Sequence, residues 1–256
     1  MSGTTAKRPP EGMAGLAKGL AILEAFGPTC RELNVADAAR AAGISPAAAR
    51  RCLLTLTELG YLHQDGRAFQ PTPRMLRLSD GYLTGSTLAS LAQTYAEVGR
   101  DQIGEAVSVA IYEDGSALFI ARAAVERIVS MGVRLGAKLP AYASATGRVL
   151  LSGLLENERE AYLKSIHPKA TTPNTLTKIS DIRNRIDAAA TDGYSMTNEE
   201  LEVGMRTLAV PVKDAHGRIR AALSSSAFTA RATIEDMLTE HLPVLTKQAT
   251  ELGRRL

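Results

Sequence analysis

The sequence predicts an α+β protein: a helical, arginine-bearing N-terminal third followed by a larger part built on an antiparallel sheet. Three observations predict it. Residues 15–60 read helix, helix, glycine turn, helix, each with its own start and stop residues. Asp65-Gly66 then joins two short strand-like runs. From about residue 104 strands come first, helices follow and strands return, the order of an antiparallel sheet with segregated helices.

The N-terminal elements follow from local rules. Residues 1–12 are polar, carry Pro9 and Pro10, and read as a loose arm. From Gly15, Leu16, Leu20, Leu23 and Phe26 recur at helical spacing, and Gly27-Pro28 ends the helix. Asn34 is a good N-cap for a short helix whose apolar positions are Val35, Ala38, Ala39 and Ala42. Gly43 closes it, where a left-handed residue costs least. Ser45 caps a third helix with Pro46 at its first position. Its inner face is Ala49, Cys52, Leu53, Leu56 and Leu59, and its outer face carries Ala47, Arg50, Arg51 and Glu58 before Gly60 ends it. Tyr61–His63 and Ala68–Gln70 flank the Asp-Gly turn as a hairpin. Together these elements make a winged helix-turn-helix.

Residues 74–100 read as helical, with Leu88, Leu91, Tyr95 and Val98 forming a short seam. That seam suits either a second copy of the chain or the chain's own next domain. Beyond it, Ala106–Tyr112, Leu118–Arg122 and Ile128–Val133 read as strands, with Glu113-Asp114-Gly115 as a turn. Helices follow at Ser144–Leu151, Glu156–Ser165 and Ile179–Asp192. Strands follow at Tyr194–Thr197, Leu208–Val212 and Arg218–Ser225, and one long helix, Thr233–Leu256, closes the chain.

Charge points to a division between these parts. The net charge is +3. Residues 1–80 hold 10 basic and 7 acidic side chains, whereas residues 81–256 hold 20 of each. Within 40–78 there are six arginines against Glu58 and Asp65. Clustered arginine suits phosphate contact, although a solvated surface has the same composition. A helix-turn-helix lays its second helix in the major groove, where N-terminal residues meet base edges. The residues so placed are Ser45, Ala47, Arg50, Arg51 and Thr55, and arginine is the side chain that reads guanine with two hydrogen bonds. Arg67, near the hairpin tip, suits the adjacent minor groove or backbone. Arg74 and Arg77 suit phosphate or ion pairs.

Several function classes lose support. No run of 18 apolar residues exists to span a membrane. MSGTTAKRPPEGM lacks the apolar core of a secretory signal. Cys30 and Cys52 are too few for a disulfide scaffold, so a reducing cytoplasm is expected. No nucleophile elbow or phosphate loop occurs, His63, His167, His216 and His241 are scattered, and no metal-ligand spacing is present; neither cofactor nor metal is expected.

Five stretches together carry a family resemblance: LAKGLAILEAFGP (16–28), the run from Leu33 to Leu78, KLPAYASATGRVLLS (138–152), GYSMTNEELEVGMRTLAVPVKDAHG (193–217) and AALSSSA (221–227). In order and spacing the chain resembles IclR-type transcriptional regulators from about residue 14 to its end. The wording around PAYA-x-x-x-GRVLL and EELE-x-G-x-R-x-LAVPV is similar to the branch that regulates aromatic-acid catabolism through the β-ketoadipate pathway. The resemblance implies a winged helix-turn-helix at 14–78, a linker helix at 79–100 and a GAF-like effector domain at 101–256. It implies homodimers or dimers of dimers on pseudo-palindromic operator DNA, and a small carboxylic acid effector, aromatic or dicarboxylic. Carried over by position, the effector residues are Ile128, Met131, Leu139, Ala145, Thr146, Thr197, Thr207, Ser224 and Ser226.

Physical reasoning supports part of that set. A helix starting after Ser144 offers free N–H donors to a carboxylate, and Ser224 and Ser226 share one face of a strand. The sequence departs from the family at two positions. Thr197 stands where members binding small keto acids often carry an acid, and Arg134, read on a strand, replaces a small polar residue. Arg134 suits either a ligand carboxylate or solvent. Arg206 suits an ion pair with Glu199 or Glu200, or the ligand. Against the regulator stands one alternative: a small-molecule enzyme using residues 1–80 only to oligomerise or localise.

Overall fold

The computed structural model describes residues 12–27, 30–125 and 133–256. The expected N-terminal arm, Pro28, and Ile128 and Met131 with most of their strand lie outside the described residues. The chain divides into two compact units, Met1–Tyr82 and Leu83–Leu256.

The first unit contains α1 (Ala14–Glu24), α2 (Val35–Ala42) and α3 (Pro46–Glu58), then the hairpin β1 (Leu62–Asp65) and β2 (Ala68–Pro71). Asn34 Oδ1 accepts from the N–H groups of Ala36 and Asp37, and Gly43 takes φ +63° at the α2–α3 turn. Ser45 Oγ accepts from Ala48 N–H and Pro46 opens α3. Gly66 (φ +56°) and Arg67, between the paired Asp65 and Ala68, form the hairpin turn. The turn therefore sits one residue later than Asp-Gly implied. Leu33 pairs with Phe69, tying the wing to the segment before α2.

Ile22, Leu23, Leu33, Ala38, Ala39, Ala49, Leu53, Leu56, Leu62 and Phe69 form this unit's core. Three residues expected on buried faces are not there: Leu16, Leu20 and Leu59 are exposed. The buried face of α1 is set by Ile22 and Leu23 at its C-terminal end, which leaves the first two turns outside the core.

A 3₁₀ turn at Pro73–Met75 leads into α4 (Leu76–Gly85). Residues 74–100 are thus not one helix. Ser86 ends α4 and caps α5 (Thr87–Ile103), its Oγ accepting from Ala89 N–H. In α5, Ala89, Ala92, Ala96 and Gly99 are buried, while Leu88, Leu91 and Tyr95 pack against the core of the sheet that follows. The seam therefore serves the chain's own second unit, and its last member, Val98, is exposed.

That unit is a six-stranded antiparallel sheet of β3 (Ala106–Glu113), β4 (Ser116–Ala123), β5 (Lys138–Pro140), β6 (Ser195–Asn198), β7 (Met205–Lys213) and β8 (Ile219–Phe228). The strand order is β5-β4-β3-β8-β7-β6. Asp114 and Gly115, both at positive φ, make the tight β3–β4 turn whose twist matches the strands.

Each sheet face has a different cover. Val107, Val109, Ala121, Leu208, Val210 and Leu223 face α5 and the C-terminal helix α10 (Leu242–Gly253). The other face offers Ala110, Ala117, Ala209 and Ala222 to α6 (Ala145–Ser152). Small residues let α6 lie close. A Cβ at Gly147 would fall 2.3 Å from Ala141 Cα, so only glycine fits there. Helices α7 (Glu156–Ser165) and α8 (Ile179–Asp192) back α6 through Tyr162, Leu163, Ile182 and Ile186.

The closing helix is not continuous. A short α9 (Ile234–Asp236) widens into a π turn at Met237–His241 before α10 begins. Pro243 lies in the first turn of α10; it lacks an N–H and its ring crowds the carbonyl four residues back, which the wider turn relieves.

The π turn buries His241 with Nδ1 3.1 Å from Ser225 Oγ. Desolvation pulls its pKa below the ordinary value, against the opposing influence of Glu105, Glu240 and Asp236. Below the unfolded value of about 6.5 the unfolded chain binds a proton that the folded chain refuses. Stability is therefore expected to fall as pH drops through 6.5 toward the depressed folded value. Thermal melts of His241→Gln should show a flatter slope just below about pH 6.5 than the native chain. An equal slope would exclude His241 as its source.

Candidate functional site

Two surfaces, one in each unit, gather the residues singled out in the sequence. In the first unit, Ser45, Ala47, Arg50, Arg51, Thr55 and Arg67 are all exposed. They do not form one cluster. Arg50 and Arg67 line a concave surface shared by α3, the wing and the start of α2, together with Asn34, Leu54 and Gln64. Arg51 and Thr55 turn the other way, toward α1, along a groove walled by Leu16, Leu20, Leu59 and Leu78. Among the described residues, no carboxylate lies within ion-pair distance of Arg50, Arg51 or Arg67. Arg40 pairs with Asp37 at 3.2 Å, and the Arg74 guanidinium lies 5.2 Å from the centroid of the Tyr61 ring. Arg74 is thus engaged in its own unit through a cation–π contact, not an ion pair.

In the second unit a cavity of about 290 Å³ lies between the sheet, the N-terminus of α6 and the loop 199–204. Leu139, Ala145, Thr146, Thr197, Thr207, Ser224 and Ser226 all line it. The floor is polar because alternate positions of neighbouring strands come into register. Arg122 pairs with Ser108, Ser108 with Ser224, Thr207 with Ser226, and Thr197 with Thr207. Thr207 and Ser226 hydroxyls sit 2.9 Å apart, and Ser224 Oγ donates to the Ser108 carbonyl at 3.4 Å. At the roof, Ser144 Oγ caps α6 by accepting from Gly147 N–H at 3.0 Å. The N–H groups of Ala145 and Thr146, in the first turn, have no acceptor within the helix.

Arg134 is where the structure departs most from the sequence reading. It is exposed, lies in the irregular segment before β5 and not on a strand, and is outside the cavity lining. The arginine that does line the cavity is Arg122, which the sequence reading treated only as the end of a strand. Its Nη1 donates to Ser108 Oγ at 3.0 Å, and burial lowers its pKa. Its backbone N–H and C=O are bracketed by the Gln93 side chain, which replaces the strand partner that β5 is too short to supply. The sequence signal that could have found it is a lone cation in the otherwise apolar run Ala117–Ala123.

The loop wall is held by a buried charge pair. Arg148 of α6 is fully buried and donates from Nη1 to Glu200 Oε1 at 3.0 Å and from Nη2 to Oε2 at 2.5 Å. Its Nε donates to the Tyr142 carbonyl at 3.0 Å. The Glu200 carbonyl accepts from the hydroxyls of Thr171, Thr172 and Thr175. Arg206, expected to pair with Glu199 or Glu200 or to meet ligand, pairs with neither glutamate and is outside the cavity lining. It donates to Asn198 Oδ1 and to the carbonyls of Thr229 and Ala232, bracing the base of the same loop. Among the described residues no group of His, Cys, Asp and Glu could hold a metal ion. No described helix is long and apolar enough to cross a membrane.

Known families match both units. The IclR helix-turn-helix domain matches residues 15–66, and the bacterial transcriptional regulator IclR C-terminal domain matches residues 80–254. The chain belongs to the IclR family. It is 37% identical over 248 residues to the Pca regulon regulatory protein of Pseudomonas putida, covering 96% of this chain and 85% of that protein. A crystal structure of a transcriptional regulator from Rhodococcus sp. RHA1 aligns at TM-score 0.85 and 36% identity, over 96% of this chain and 98% of that one. The inducer-binding domain of the PobR transcription factor from Acinetobacter, a double mutant in complex with 3-hydroxybenzoic acid, aligns at TM-score 0.62 and 30% identity. That alignment covers 66% of this chain and 98% of that domain.

As an IclR-family protein the chain is a ligand-responsive, DNA-binding transcriptional regulator, in the branch that controls aromatic-acid catabolism. The enzyme alternative falls, since these relatives are named as transcriptional regulators and not as enzymes.

Proposed function

We propose that this IclR-family regulator reads operator DNA with α3 and the wing, and that a small aromatic carboxylic acid in the second unit's cavity changes that binding. On this reading residues 14–78 bind DNA, 79–100 connect, and 101–256 bind effector. Arg50 and Arg51 contact base edges from opposite flanks of α3, with Ser45 and Ala47 near its start and Thr55 on the Arg51 flank, and Arg67 meets the adjacent minor groove or backbone. Helix N-termini and hydroxyl rows suit carboxylates and phenols, and a relative's domain holds 3-hydroxybenzoic acid. Leu16 and Leu20, exposed on α1, support pairing of two copies through that helix, and hence a pseudo-palindromic operator. Dimers of dimers extend the same reading, and a DNA-binding regulator of this kind works in the cytoplasm.

The observation that carries the effector reading is the hydroxyl-floored cavity against the first turn of α6. A saturating ligand stabilises the chain by about 2.7 kcal/mol at about 100 Kd. Thermal melts with 3- and 4-hydroxybenzoate should show that gain. Replacing Ser224 and Ser226 together by Leu fills the floor and should abolish it. An undiminished gain in that variant would move the effector elsewhere.

A further inference from the structure

The cavity has one feature that a neutral hydroxyl floor does not explain. Arg122 is partly buried at the β4 side of the lining, and its described side-chain partner is the Ser108 hydroxyl, a neutral group. A half-buried guanidinium is poorly hydrated, and stabilisation comes from an anion in two-pronged geometry. Ser108 steadies it above β3, two strands from Thr207 on β7. That distance is about 10 Å, a span that one benzene ring with a polar group at each end fills once hydrogen bonds are added. The wall beyond carries acid: Glu200, already paired with Arg148, and Glu202.

We propose that Arg122, steadied by Ser108, anchors the effector's carboxylate, and that the cavity selects singly charged aromatic hydroxy acids over dicarboxylic acids. This rests on the effector reading above. The carboxylate takes the guanidinium at β3, the ring lies over β8, and the hydroxyl reaches the Thr207–Ser226 pair. A second carboxylate at that end lies against Glu202, and although the first-turn N–H groups of α6 are donors, no full positive charge among the described lining residues balances it. Phe119, Leu139 and Met205 supply apolar walls for the ring.

The test is calorimetric titration of the full chain, its Arg122→Gln and its Arg122→Lys variants. The probes are 4-hydroxybenzoate, its neutral counterpart 4-hydroxybenzyl alcohol, and terephthalate, which exchanges the hydroxyl for a second carboxylate. The native chain should bind 4-hydroxybenzoate at least about 10-fold more tightly than terephthalate. Arg122→Gln should weaken 4-hydroxybenzoate by about 10- to 100-fold and leave the alcohol within about threefold. Arg122→Lys should fall between. Without ligand, Arg122→Gln should melt no lower than the native chain, because it removes a half-buried charge whose described side-chain partner is a neutral hydroxyl. A lower melt with equal losses for acid and alcohol would mark Arg122 as structural and overturn the proposal. So would native-like binding of 4-hydroxybenzoate by Arg122→Gln. Terephthalate binding as tight as 4-hydroxybenzoate would overturn the charge selection. Failure of the native chain to bind any of the three would instead overturn the aromatic-acid reading beneath the proposal.

Discussion

Glu200→Ala should destabilise the second unit by about 3–5 kcal/mol, the usual consequence of stranding a buried charge. Arg148 is fully buried on α6, and the carboxylate of Glu200 balances it through two hydrogen bonds. Removing that carboxylate leaves the guanidinium with the Tyr142 carbonyl as its remaining described partner. In thermal melts this should appear as a fall of about 10 °C or more.

The pair variant separates stranded charge from lost packing. Arg148→Met with Glu200→Leu removes both charges and keeps most of the volume, and buried ion pairs so replaced are often neutral for stability. The double variant should therefore melt well above Glu200→Ala. If Glu200→Ala alone lies within about 1 kcal/mol of the native chain, the pair is not the brace of the cavity wall. If the double variant is as unstable as the single, packing and not charge accounts for the loss.

Replacing Arg50 and Arg51 together by Ala should weaken operator binding by about 1–3 kcal/mol for each base edge no longer bound. The two arginines lie on different sides of the exposed face of α3, Arg50 toward the wing and Arg51 toward α1. If α3 reads the operator as proposed, arginines on opposite flanks meet different base pairs, so each single change should relax specificity at its own position. Arg67→Ala, on the wing, should weaken binding more evenly across sequences and lower its salt dependence, as phosphate or minor-groove interactions do. Fluorescence anisotropy with operator variants distinguishes these patterns. Native-like affinity of the Arg50/Arg51 double variant would remove α3 as the reading helix. Effector stabilisation should persist in it, since the cavity lies in the other unit.

How much of this was legible depended on how local the cause was. Asn34, Gly43, Ser45 and Pro46 each act within one turn of chain, and they place α2 and α3 where the sequence puts them. The limits of α7 and α8 agree with the expected ones, and α8 ends at Gly193 in the left-handed conformation. Seven carried-over cavity residues were identifiable because the family resemblance aligned them, not because spacing brought them together. Ser108, Thr197 and Ser224 come from strands far apart in the chain, and only the order β3-β8-β7-β6 makes them neighbours.

Arg122 was missed for that reason. A charge near the end of a strand reads as surface until β3 places Ser108 beside it. Arg134 drew attention in its place because it stood out against the family pattern, yet it faces solvent. The break at Met237–His241 was also hidden, since Pro243 sits inside an otherwise regular helical pattern and its effect falls on the preceding turn. Leu16, Leu20 and Leu59 satisfied the helical period yet stay exposed. Periodicity marks an apolar face but does not say whether the chain's own core or a second copy covers it.

On the proposed reading, a small acid in the cavity of one unit alters DNA binding by the other. The effector can do so only through a difference in its affinity for two states of the protein. The most direct measurement is the operator affinity of the full chain by fluorescence anisotropy, with and without saturating 4-hydroxybenzoate, alongside the Ser224→Leu/Ser226→Leu variant. The expected result is a shift in the native chain's operator Kd by about 5- to 150-fold, in either direction, with the variant unresponsive at native-like apo affinity. An operator Kd unchanged by effector in the native chain, despite demonstrated effector binding, would contradict it.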